Sequence, residues 1–82
     1  MQPRQRVKRY ILENFLFTDD ESAFADADSL IRAGIVDSTG IHELVMFIEE
    51  SFGLSIAPEE MIPANFDSIL AVDAFIGRKL AC

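Results

Sequence analysis

Eighty-two residues, half of them apolar and 26% charged, can enclose one modest core and lie outside the range of compositionally disordered chains. No apolar run approaches the roughly 20 residues that span a membrane, and a formal net charge of −7 disfavours nucleic acid as a partner. A single domain over residues 1–82 is expected.

The charge is unevenly placed. Arg4, Arg6, Lys8, Arg9, Arg78 and Lys79 lie at the two ends, so Arg32 stands alone between them against all 14 acids. An acidic surface of this density steers toward basic patches on partner proteins. The basic N-terminal stretch lacks the apolar segment and small-residue cleavage site of a secretory signal, so a cytoplasmic protein is expected. The lone cysteine, Cys82, has no internal disulfide partner and no zinc-ligand companions.

Taken in order, the chain reads as helices joined by loops. A first helix is predicted from near Pro3 to about Leu16, with Val7, Ile11 and Phe15 facing the core. From Thr18 to Ser29 turn formers and acids dominate, which predicts a long loop anchored by Phe24, Leu30 and Ile31. Asp26 and Asp28 alternate as in a calcium loop, but the glycine and terminal glutamate are missing at the required offsets, so no metal site is expected.

A second helix is predicted from about Thr39 to Ser51. At about 100° per residue, Ile41, Leu44, Val45, Ile48 and Phe52 share one apolar arc, while Thr39, His42, Glu43, Met46, Glu49 and Glu50 lie on the other side. Ala57 to Met61 reads as one short helical turn with proline at its first position, stopped by Pro63. A last helix, capped by Asp67 or Ser68, runs to about Leu80 with Ile69, Val72, Ile76 and Leu80 on one face. The predicted fold is all-α, a small bundle of three main helices and one short one.

Gly34-Ile35-Val36-Asp37-Ser38-Thr39-Gly40 is the stretch with chemical content. A glycine ends one segment and an Asp-Ser pair precedes an apolar-periodic run, which places Ser38 at a helix start. A hydroxyl there lies beside backbone N–H groups without helical partners, and these groups with the helix dipole favour an anion such as a phosphate ester. Asp-Ser-Thr at a helix start also serves as plain capping, and spacing alone does not separate the two.

Asp37-Ser38 after Gly34-Ile35-Val36, followed by Glu43-Leu44-Val45 and Glu49-Glu50-Ser51-Phe52-Gly53, resembles the acyl carrier protein family over about Val7 to Leu80. In that family the serine of an Asp-Ser-Leu motif carries a 4′-phosphopantetheine arm, so the resemblance implies attachment at Ser38 and a carrier-like helical bundle. Here Thr39, followed by Gly40, replaces the usual Leu or Met after the serine, which removes a large apolar contact for partner enzymes. This variant looks most like freestanding carriers of specialised pathways.

The resemblance further implies a phosphopantetheinyl transferase, an adenylate-forming acyl or aminoacyl ligase and downstream acyl-processing or acyl-transferring enzymes as partners of a monomeric carrier. Such enzymes would meet Asp37, Thr39, His42, Glu43, Met46, Glu49 and Glu50, and an apolar cargo would shelter near Leu44, Ile48, Ile62, Phe66 and Ile69. The nearest alternative is an aminoacyl or peptidyl carrier protein of a nonribosomal-type pathway, and two other classes compete. An acidic adaptor would use the same face with Ser38 unmodified. A hydrolase would use the Ser38–His42 pair, four residues apart on one helix, but it also needs an orienting acid, an oxyanion hole and a substrate pocket, for which so small a bundle has little room.

Overall fold

A computed structural model describes residues 3–81, so Cys82 lies outside the described residues. The helices run α1 (Pro3–Ile11), α2 (Ser38–Phe52), α3 (Pro63–Phe66) and α4 (Ile69–Ala81). No described helix is long and apolar enough to cross a membrane. Their apolar stripes meet in one core of Val7, Ile11, Ile41, Leu44, Val45, Ile48, Phe66, Ile69, Val72, Phe75 and Ile76, completed by Leu12, Phe24, Leu30, Val36 and Ile56 from the segments between them.

Val7 and Ile11, four apart, bury one face of α1. The helix does not continue as a regular α-helix to Leu16. Leu12–Leu16 forms a wider π turn, closed by the N–H of Thr18 on Leu12 O at 3.0 Å. The extra residue in that turn is invisible to a 3.6-residue pattern, and Phe15 becomes half-buried at its edge.

Two of the three expected loop anchors hold: Phe24 and Leu30 are buried, whereas Ile31 is 37% exposed and turns outward. Beside the Leu70 N–H on Asp26 O and the Lys8–Asp26 pair, Asp67 adds a polar anchor. Its carboxylate accepts the Ser29 hydroxyl at 2.8 Å and the Ile31 N–H at 3.0 Å, while its carbonyl accepts the Leu30 N–H. Ser68 therefore supplies the cap of α4, its Oγ accepting the Ala71 N–H at 3.1 Å. Asp26 is occupied by Lys8, 2.8 Å away, and Asp28 by the Ala25 N–H.

Pro63 opens a helix where a stop was expected, because proline fits a first helical position whose N–H has no partner in any case. The turn predicted at Ala57–Met61 is a 3₁₀ turn, Pro58–Glu60. Glu60 holds it by accepting the Ala57 N–H, and it also pairs with Lys79 of α4 at 2.9 Å. The Ala57 N–H first, and Lys79 second, keep its carboxyl below the usual glutamate range. On α4, Ile69, Val72 and Ile76 are buried as predicted, but Leu80 overhangs at 55% exposure and Phe75 takes a core place instead.

Candidate functional site

The start of α2 is built by Asp37. Its backbone is extended and its Oδ1 accepts the Gly40 N–H at 2.7 Å, which makes Asp37 the cap and Ser38 the first helical residue. The first bond of the helix ladder runs from the Ile41 N–H to Asp37 O. The N–H groups of Ser38 and Thr39 thus have no partner among the described residues, and neither does the Ser38 hydroxyl. Ser38 is exposed, so a nucleophilic oxygen and two free backbone donors share one solvent-facing point.

Gly40 is buried, and the reason is contact. A Cβ there would lie 2.8 Å from Phe15 Cε1 and 3.1 Å from Val36 Cγ1. The absent side chain lets the π turn of α1 close against the first turn of α2. In the sequence Gly40 reads only as a neighbour of Thr39; a glycine inside the first helical turn is the available signal for close approach. At the other end of α2, Gly53 takes φ 66 and donates to Glu49 O, a left-handed cap suited to glycine.

The two faces of α2 fall as the arithmetic placed them, with one exception. Ile41, Leu44, Val45 and Ile48 are buried and Phe52 half-buried, while Thr39, His42, Glu43, Met46 and Glu50 are exposed. Glu49 is the exception: it is half-buried, and its carboxylate accepts the Ile56 N–H at 2.9 Å. It holds the chain after α2 and is not a free surface acid. No side-chain hydrogen bond joins His42 to Ser38 among the described residues.

Glu43 and Glu50 flank Tyr10 of α1, whose ring stacks on Phe47 with centroids 4.1 Å apart. Partial burial first, then these two carboxylates, raise the phenol above its usual range. The neutral phenol is the form the fold prefers. Its contribution is complete below the unfolded phenol pKa and is lost as pH rises through the higher folded value. Tyr10 is the single tyrosine and tryptophan is absent, so ultraviolet titration reads it directly. In Glu43→Gln/Glu50→Gln the ionisation midpoint is expected to fall toward the ordinary value, and an unmoved midpoint contradicts the assigned cause.

Of the predicted cargo lining, Leu44, Ile48, Phe66 and Ile69 are fully buried and come together in the core, but Ile62 is 45% exposed, at the edge where the chain enters α3. Ile62 is therefore no core residue. Two clefts, of about 380 and 260 Å³, lie along α1 and include none of these five residues.

The chain is 35% identical over 66 residues to a probable acyl carrier protein, PigG, of a Serratia species, covering 79% of this chain and 76% of that protein. It is 33% identical over 64 residues to a D-alanyl carrier protein of Abiotrophia defectiva, covering 77% of this chain and 81% of that one. No family model matches the chain. An exposed serine at the first position of a capped helix, in an all-helical bundle, accompanies a similarity that spans three quarters or more of both relatives. The chain belongs to the acyl carrier protein family.

Proposed function

We propose that residues 1–82 form one carrier domain whose Ser38 bears a 4′-phosphopantetheine arm, and that the protein holds a carboxylic acid on that arm for partner enzymes. The observation that carries this reading is the exposed, unpartnered Ser38 hydroxyl beside the free N–H groups of Ser38 and Thr39. A phosphodiester on Ser38 Oγ suits that point, since the helix dipole and those donors favour its charge. Asp37 keeps the first turn formed while the hydroxyl oxygen gives its proton to a base of the transferase and bonds to the pantetheine-side phosphorus of the coenzyme A pyrophosphate, whose P–O bond to the adenine nucleotide breaks so that the nucleotide leaves. The arm supplies a thiol on which the acid is held as a thioester.

The chain's own contribution is concentration: a tethered acid stays near whichever enzyme docks on α2. The exposed Thr39, His42, Glu43, Met46 and Glu50 supply that docking face, with Asp37 at its edge. A transferase, an adenylate-forming ligase and the enzymes that consume the cargo are the partners this reading requires.

Acyl cargo is the first reading. Leu44, Ile48, Phe66 and Ile69 form a fully apolar interior with the exposed Ile62 at its edge, and each CH₂ withdrawn from water gains about 0.8 kcal/mol. An aminoacyl cargo is the second, favoured by the similarity to a D-alanyl carrier; its charged group would stay in solvent. The experiment is to incubate the protein with coenzyme A, magnesium and a broad-specificity transferase and to record the intact mass. Wild type is expected to gain one phosphopantetheinyl group and Ser38→Ala none. The modified protein is then loaded with a medium-chain acyl group or an amino acid. Movement of the Leu44, Ile48 and Phe66 resonances by the acyl group alone supports sheltering, and unmoved resonances favour the aminoacyl reading.

A further inference from the structure

Phe17 is the most exposed large apolar side chain among the described residues, at 84%. Its backbone has φ 55, and the other positive-φ positions described are Gly34 and Gly53. Glycine takes this conformation without strain; phenylalanine does not. The fold asks for a left-handed closing residue after the π turn, as the Thr18 N–H on Leu12 O shows, but it gives no reason for an aromatic ring. No ring or cation contact holds that ring among the described residues. An exposed aromatic kept on strained backbone is better explained by what it meets than by what it supports.

Its location indicates what it meets. Phe15, two residues earlier, packs on Gly40, two residues after Ser38, so Phe17 lies at the Ser38 end of the molecule. The molecule measures 33 × 26 × 20 Å, and a standard docking footprint of about 800 Å² per partner covers most of such an end. The chain after Phe17 is acidic: Asp19, Asp20 and Glu21 are exposed, Arg9 shares the cleft lined by Thr18, Asp19 and Glu21, and Asp37 and Glu43 are exposed at the start of α2. Hydrogen bonds from the Ser22 hydroxyl and N–H hold the Asp20 carboxyl below its usual range, so it stays charged.

We infer that Phe17 is a docking anchor for the transferase that modifies Ser38, seating in an apolar socket bordered by lysine or arginine on that enzyme. This rests on the carrier reading of Ser38. The acids supply charge complementarity and orient the approach, and the ring supplies the desolvated centre of the contact. The interaction adds a contact away from α2, and it offers an apolar hold on a chain whose serine is followed by Thr39.

The test uses Phe17→Gly, which relieves the backbone, and Phe17→Ser, which removes the ring but keeps a Cβ. Each is compared with wild type for modification by a broad-specificity phosphopantetheinyl transferase with coenzyme A, and for binding of that enzyme by calorimetry without coenzyme A. Phe17→Gly is expected to melt at or above the wild-type temperature, with KM raised about tenfold and kcat near wild type, in the range of a lost aromatic anchor. Asp19→Lys/Glu21→Lys is expected to weaken binding and flatten its salt dependence. Wild-type rates and affinity in both Phe17 variants overturn the inference, whatever the mass of the product. A wild-type protein that gains no mass overturns the carrier reading and the anchor with it, whereas a modified wild type matched by both Phe17 variants overturns the anchor alone. If wild type neither binds nor is modified, both are overturned.

Discussion

Phe66→Ala is expected to remove about 3–5 kcal/mol of stability, the range for emptying a buried aromatic site. A domain of this length holds only about 4–12 kcal/mol in all, at 0.05–0.15 kcal/mol per residue, so the variant is expected to be partly unfolded at room temperature. The size of the effect follows from the position. Phe66 is fully buried, its ring packs edge-on to Phe75 with centroids 5.2 Å apart, and it is the buried residue of a four-residue helix. So short a helix has no stability of its own; α3 stays formed because Phe66 docks it against α4. Urea unfolding followed by circular dichroism gives the measurement, and a loss below about 1 kcal/mol would mean that α3 is not held by this ring.

How much of this was legible in the sequence depends on the range of the interaction concerned. The faces of α2 were readable because a fifteen-residue helix repeats its pattern four times, and Ile41, Leu44, Val45 and Ile48 all obey it. Ser38 at a helix start was readable because capping is local: Asp37 and Gly40 are three residues apart. The π turn was not, since one added residue near the end of α1 leaves the spacing of Val7 and Ile11 intact. Glu49 looked like a surface acid because its partner, the Ile56 N–H, lies beyond the helix end. Leu80 reads as core because it falls four residues after Ile76, and Ile31 because it is an apolar neighbour of Leu30, but Ile31 is 37% and Leu80 55% exposed. Pro63 reads as a stop in the sequence, although proline is equally a start; only the residues after it decide, and the three that follow it in α3 give too short a pattern to read.

Asp67→Ala is expected to cost about 1.5–3 kcal/mol, the range for losing hydrogen bonds to a charged acceptor. One carboxylate receives the Ser29 hydroxyl on both oxygens and the Ile31 N–H, 38 and 36 residues away in the chain. Without it those two donors lose their acceptor, and the segment carrying Leu30 and Val36 keeps the Arg32 N–H on Ser29 Oγ and its backbone bonds, among them the Leu30 N–H on Asp67 O and the Ile35 and Val36 N–H groups on Leu30 O. That segment leads directly into Asp37, so its loosening is expected to reach the approach to Ser38 while the cap on Gly40, made by Asp37 itself, persists. Amide exchange distinguishes the two consequences. The Leu30, Ile35 and Val36 amides should lose protection, and the Ile41, Leu44 and Val45 amides of α2 should keep theirs. Asp67→Asn, which retains one acceptor oxygen, is expected to recover part of the loss. Equal protection of both segments in Asp67→Ala would remove Asp67 as the clamp and leave the buried Phe24 and Leu30 side chains as what holds the long loop down.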